Sequence, residues 1–115
     1  MDISELQRIY AGHPNTAGLA ALLEDSSVRT IFLGSLHASA TPLFISSFIR
    51  ENKQTFVFIL GDQEEAGYFY HDLTQVNGEE NILFFPSSYR RAIKYGQKDA
   101  ANEILRTEVL SRLQK

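Results

Sequence analysis

The stretch Gly34-Ser-Leu-His-Ala-Ser-Ala-Thr41 is the part of this 115-residue chain best placed for chemistry. It follows an apolar run, Val28 to Leu33, and precedes Phe44, Ile45, Phe48 and Ile49 at helical spacing. Strand, glycine-led loop and helix, in that order, are the setting of a phosphate-binding loop, GxxxxGK[ST]. There, glycines let backbone N–H groups wrap a phosphate while a lysine reaches the β and γ phosphates. Counted from Gly34, the second glycine position holds Ser39, the lysine position Ala40 and the hydroxyl position Thr41. Moving the register by one residue still supplies no lysine. Lysine and Mg²⁺ carry most of the charge stabilisation in phosphoryl transfer. Gly34, Ser39, Ala40 and Thr41 therefore read as a vestigial loop, with no catalytic residue and no cofactor expected. A plain strand-to-helix connection is the competing reading of the same residues. His37 lies in the loop with no carboxylate near it in sequence to orient it as a base. His13, before Pro14, reads as a turn residue, and His71 as a solvated helix position.

Two other groups could carry chemistry. Asp62, Glu64 and Glu65 follow an apolar run and resemble an acid/base or metal cluster, yet helix capping and the helix dipole account for them. Arg90, Arg91, Lys94 and Lys98 are interleaved with Tyr89 and Tyr95, a mixture that can pair with phosphates and stack on bases. Arg90, Arg91, Lys94 and Arg106 are the candidates for polar contacts. The chain has no cysteine, which removes disulfides, thiolate metal sites and a cysteine nucleophile. Its three histidines never form HxH or HExxH, so no metal site is expected. A net charge of −3 argues against wholesale nucleic-acid binding. No apolar run approaches the ~20 residues of a membrane span. The acidic start MDISEL is no signal peptide, and a cytoplasmic protein without membrane contact is expected.

These residues need elements to hold them. Ile3, Leu6, Ile9 and Tyr10 predict a helix over 2–10. Asn15 is a cap for a second helix that would bury Leu19, Leu22 and Leu23. Strands are predicted at Val28–Leu33, Thr55–Leu60 and Ile82–Phe85, the last two as nearly continuous apolar runs suited to a parallel sheet covered on both faces. Between them, Thr41-Pro42 would open one helix and Asp62 with Glu65 would cap another, ended by Gly78. A last helix would run from about Asp99, with Ile104, Leu105, Val109, Leu110 and Leu113 apolar. The order predicts a single domain over 1–115: a helical lead-in over 1–26, then a βαβαβα core over 27–115. Its fold class is α/β, a right-handed three-layer sandwich around a mainly parallel sheet. The last helix stops at Leu113-Gln-Lys with no strand after it, so the chain reads as a piece of a longer protein.

The degenerate strand-loop-helix around Gly34, the FFPSS after the third apolar run and the final DAANEILRTEVLSRL occur here in an order that resembles one known module. It is the N-terminal module of the bacterial transcription-repair coupling factors, the Mfd family, itself similar to the first domain of the excision-repair protein UvrB. The resemblance covers most of the chain from the second helix on. It implies a RecA-like, P-loop-NTPase-like fold with a degenerate P-loop, in which Ala40 fills the lysine slot as in the coupling factors. Asn102-Glu103-Ile104-Leu105-Arg106 falls where UvrB-like proteins carry a comparable helix. The stretch between Phe85 and Asn102 is short for the tyrosine-rich hairpin with which those proteins probe damaged DNA. The resemblance further implies a non-catalytic scaffold in transcription-coupled nucleotide excision repair. The whole protein would be an ATP-dependent DNA translocase that displaces stalled RNA polymerase, with hydrolysis and DNA binding in other domains. The implied partners are those domains and UvrA, which is recruited mainly through the adjacent domain. Two alternatives stand beside this reading: a small phosphate- or nucleotide-using enzyme with an unorthodox loop, and a DNA-binding module using the basic 89–98 stretch.

Overall fold

The computed structural model describes residues 1–87 and 100–115. Five α-helices form: α1 (Ile3–Ala11), α2 (Pro14–Glu24), α3 (Ala40–Glu51), α4 (Gln63–Asn77) and α5 (Ala100–Leu113). Among the described residues there is no strand and no sheet. The expected α/β sandwich, with its parallel sheet, RecA-like architecture and βαβαβα core over 27–115, is thereby overturned. The helices stand close to their predicted places, and the three apolar runs read as strands are the connections between them. A strand exists only where its backbone is paired along a ladder. No backbone hydrogen bond is found for residues 29–34 among the described residues. These runs use their apolar character differently, laying side chains directly onto helices.

The chain falls into two compact units, residues 1–58 and 59–115. In the first, the stretch expected as a lead-in is integral. Helix α1 opens with a complete capping box: the Asp2 carboxylate accepts from the Ser4 amide and hydroxyl, and Glu5 accepts from the Asp2 amide at 3.0 Å. Helix α2 begins at Pro14, whose missing N–H costs nothing at a first helical position. Its cap is His13, whose Nδ1 accepts from the Asn15 amide at 3.1 Å; Asn15, the residue expected to cap, is already helical. Of the apolar face predicted for α2, Leu19 is buried while Leu22 and Leu23 are exposed.

The core of this unit is Leu19, Phe44 and Phe48, with Tyr10, Ile31, Leu36, Ile45 and Phe56 packed against it. Phe48 meets Phe56 edge-on at 5.8 Å between centroids, and Phe56 stacks on Phe58 at 6.4 Å. Ile31 and Phe56 thus bring two of the supposed strands onto α3. The opposite flank of α3 carries buried Ser46 and Ser47, whose small side chains let α1 lie close along it. Ser47 donates to the Phe44 carbonyl at 2.7 Å and Ser46 to that of Leu43 at 2.8 Å. Buried Gln7 of α1 donates to Ser46 Oγ at 3.0 Å and accepts from Arg50.

In the second unit Asp62 caps α4, accepting from the Glu65 amide at 2.8 Å. Glu65 accepts in return from the Gly61 amide at 2.9 Å. Gly78 ends the helix at φ 81 and ψ 168, a backbone region open essentially only to glycine. Leu73 is the buried apolar anchor of α4. The 79–87 segment is fastened to both helices by side chains. Tyr70 packs on Phe84 with centroids 5.4 Å apart, and Arg112 of α5 donates to the Glu80 carbonyl.

With so few fully buried apolar side chains, Phe48→Ala is expected to lower stability by about 3–5 kcal/mol, read as a collapse of the urea midpoint. A pH effect follows from the caps. Asp2 and Asp25 are held below their usual 3.8, each first by a serine hydroxyl (Ser4 and Ser27) and then by that serine's amide. A carboxyl depressed on folding contributes stability that is full above its unfolded value and lost as pH falls through its folded one. Urea midpoints taken on either side of 3.8 are expected to fall on the acid side, and Asp2→Asn to make that fall shallower.

Candidate functional site: the 34–41 loop and its apolar neighbours

The residues singled out as a vestigial phosphate loop do lie together ahead of α3. Gly34 and Ser39 are exposed, and Ala40 and Thr41 half-buried in the first helical turn. The helix starts two residues earlier than the Thr41-Pro42 signal predicts. Ser39 is the cap by backbone position, yet its side chain makes no capping hydrogen bond. Pro42, third in the helix, still falls where an N–H has no intrahelical partner.

The loop's geometry is not that of a phosphate cradle. The backbone amides at the lysine and hydroxyl positions are engaged internally: Ala40 donates to the His37 carbonyl at 3.0 Å and Thr41 to that of Ala38 at 3.3 Å. The left-handed residues are Ser35 (φ 63) and Ala38 (φ 49), neither of them a glycine. Gly34 has no such backbone, and a Cβ there would meet only a ring carbon of Phe32 at 3.4 Å, an ordinary contact. His37 is exposed.

The other predicted residues are placed as follows. Arg106 donates to the Pro86 carbonyl at 2.7 Å and lies 4.2 Å from the centroid of the Phe85 ring. Its polar contact is with its own chain, and it joins the FFPSS motif to the NEILR motif. Arg90, Arg91 and Lys94, with Tyr89, Tyr95 and Lys98, lie outside the described residues. Asp62 and Glu65 are caps, and no cluster of metal-ligating side chains occurs among the described residues. His71 is exposed on α4.

Sequence reasoning did not anticipate how much apolar surface the connections leave uncovered. In the first unit Phe32 is 92% and Val57 79% exposed; in the second, Ile59 is 93% exposed. Alternation was the available signal: Ile31 and Phe56 turn to the helices while their neighbours Phe32 and Val57 turn to water. A cavity of ≈ 210 Å³ in the second unit was also missed. Its walls come from α4, the 79–84 segment and α5, elements far apart in sequence.

The chain matches no family model, no curated protein and no solved structure. No helix among the described residues is long and apolar enough to cross a membrane.

The left-handed backbone at Ala38 places Cβ against a carbonyl oxygen, a cost of roughly 1–2 kcal/mol for an L-residue. Ala38→Gly is expected to relieve it, for a net gain of about 0.5–1 kcal/mol once glycine's greater loss of chain freedom is counted, measured as a raised thermal midpoint.

Proposed function

We propose that this chain is a non-catalytic protein-interaction module, serving in the cytoplasm as the N-terminal scaffold of a transcription-repair coupling factor. Its partners in this reading are the other domains of that protein and the damage-recognition protein UvrA. The observation that carries the reading is the exposure of Phe32 and Val57 on the connections of the first unit. Exposed apolar surface is where another protein can sit, and Phe32 and Val57 are among the most exposed large apolar side chains of this unit. Two further features support it. The loop offers no lysine, and its Ala40 and Thr41 amides are turned to local carbonyls rather than left for a phosphate. The two motifs behind the resemblance also meet physically, through Arg106 on Phe85 and Pro86.

Calorimetric titration separates this reading from the enzymatic one. Mg·ATP is expected to give no binding heat with the parent chain. Binding even at about 100 μM, worth about 5.5 kcal/mol, would move the phosphate-using reading to the front. Titration with UvrA is expected to show a complex that Phe32→Ser weakens by about tenfold, or 1.4 kcal/mol. Absence of any complex would sink the assignment of that partner.

A further inference from the structure

The second unit contains a cavity of ≈ 210 Å³ lined by Tyr70, Leu83, Phe84, Leu105 and the carboxylate-bearing Glu79 and Glu108. Small-molecule and cofactor pockets usually occupy roughly 300–1,000 Å³, so this one has room for a single side chain. Tyr70 and Phe84, tilted at 35° to one another, supply aromatic faces, and Leu83 and Leu105 supply aliphatic wall. Glu79 is exposed and makes no ion pair among the described residues. Among the described residues Glu108 pairs with Arg112 alone, at 3.8 Å, an exposed pair one helical turn away; such pairs contribute little and leave the carboxylate open to a better partner. Over its full sequence the unit carries nine Asp and Glu against seven Arg and Lys, and both charged residues of the lining, Glu79 and Glu108, are acidic. Arg106 and Arg112 are turned to the carbonyls of Pro86 and Glu80.

We infer that this cavity is a binding site for a lysine side chain presented by a partner protein. The four-carbon stem would lie along Leu83 and Leu105. The ammonium would sit by the Tyr70 and Phe84 rings, which attract a cation through their π faces, with Glu79 and Glu108 completing its charge. An anionic ligand such as a nucleotide is disfavoured by the volume and by the two carboxylates of the lining. The inference stands apart from the coupling-factor assignment, since it concerns a different unit and names a chemistry rather than a protein.

The test is an NMR titration of the full chain with Nα-acetyl-lysine amide, against Nα-acetyl-norleucine amide, which keeps the stem and lacks the ammonium. The lysine compound is expected to shift the ring protons of Tyr70 and Phe84 saturably, with the norleucine compound weaker by about tenfold or more. Glu79→Gln with Glu108→Gln is expected to bring the lysine compound down to the norleucine level with no change in thermal midpoint, both positions being exposed. Equal shifts from both compounds would reduce the cavity to an apolar dent and overturn the inference. So would unmoved Tyr70 and Phe84 resonances, or undiminished lysine binding by the double variant.

Discussion

A side-chain amide taken out of water is costly to leave without hydrogen bonds, and the first unit is arranged around that cost at Gln7. Leaving a buried amide group unpaired costs roughly 1–3 kcal/mol, a large share of the 5–15 kcal/mol that holds an ordinary domain together. Gln7 meets the demand across the seam, giving its N–H to Ser46 and receiving from Arg50. Both partners belong to α3, one turn apart, so they fix α1 along the helix as well as against it. The fixed seam then dictates the other flank of α3. With Ser46 and Ser47 turned to α1, Phe44 and Phe48 are left to collect Leu19, Ile31 and Phe56.

The second unit solves a related problem with longer side chains. The 79–87 segment has apolar residues to bury and no neighbouring strand to pair with among the described residues. Arg106 and Arg112 reach from α5 to two of its carbonyls, at Pro86 and Glu80, twenty and thirty-two residues away in sequence. A guanidinium is suited to this task. It is always charged, it offers several donors in a fixed plane, and it can lie on an aromatic ring while donating at its edge; Arg106 does both, on Phe85 and Pro86. In each unit, long polar side chains hold what a ladder of backbone bonds would hold in a sheet.

The helices were legible in the sequence, and the sheet was a misreading with a physical cause. Asp62 with Glu65, Gly78, and the spacing of Phe44 and Phe48 act through contacts a few residues apart, so local pattern finds them. Pairing between Val28–Leu33 and Thr55–Leu60 would be a contact between distant segments, and no pattern within either run reports it. A short apolar run is compatible with a buried strand or with a connection draped over a helix. Here Ile31 and Phe56 took the second course. The candidate loop was legible in composition, since the missing lysine at Ala40 is plain, but not in backbone: nothing about Ser35 or Ala38 as residue types announces a left-handed conformation. The Gln7–Ser46–Arg50 bridge was invisible for a similar reason, being made of ordinary polar residues given meaning only by burial.

The unpaired backbone of residues 29–34 also affects how motion is distributed in the first unit. Amides held in helices exchange their hydrogens with water only when the helix opens, whereas amides bonded to nothing but solvent exchange almost freely. Residues 29–34, without backbone bonds among the described residues, belong to the second kind. They lie between α2 and α3, the two helices whose Leu19, Phe44 and Phe48 make the core. Opening that core therefore needs no hydrogen bond in the connection to break. The connection acts as a tether, keeping α2 and α3 at high effective concentration for each other, so that after every local opening the partner helix is still within reach.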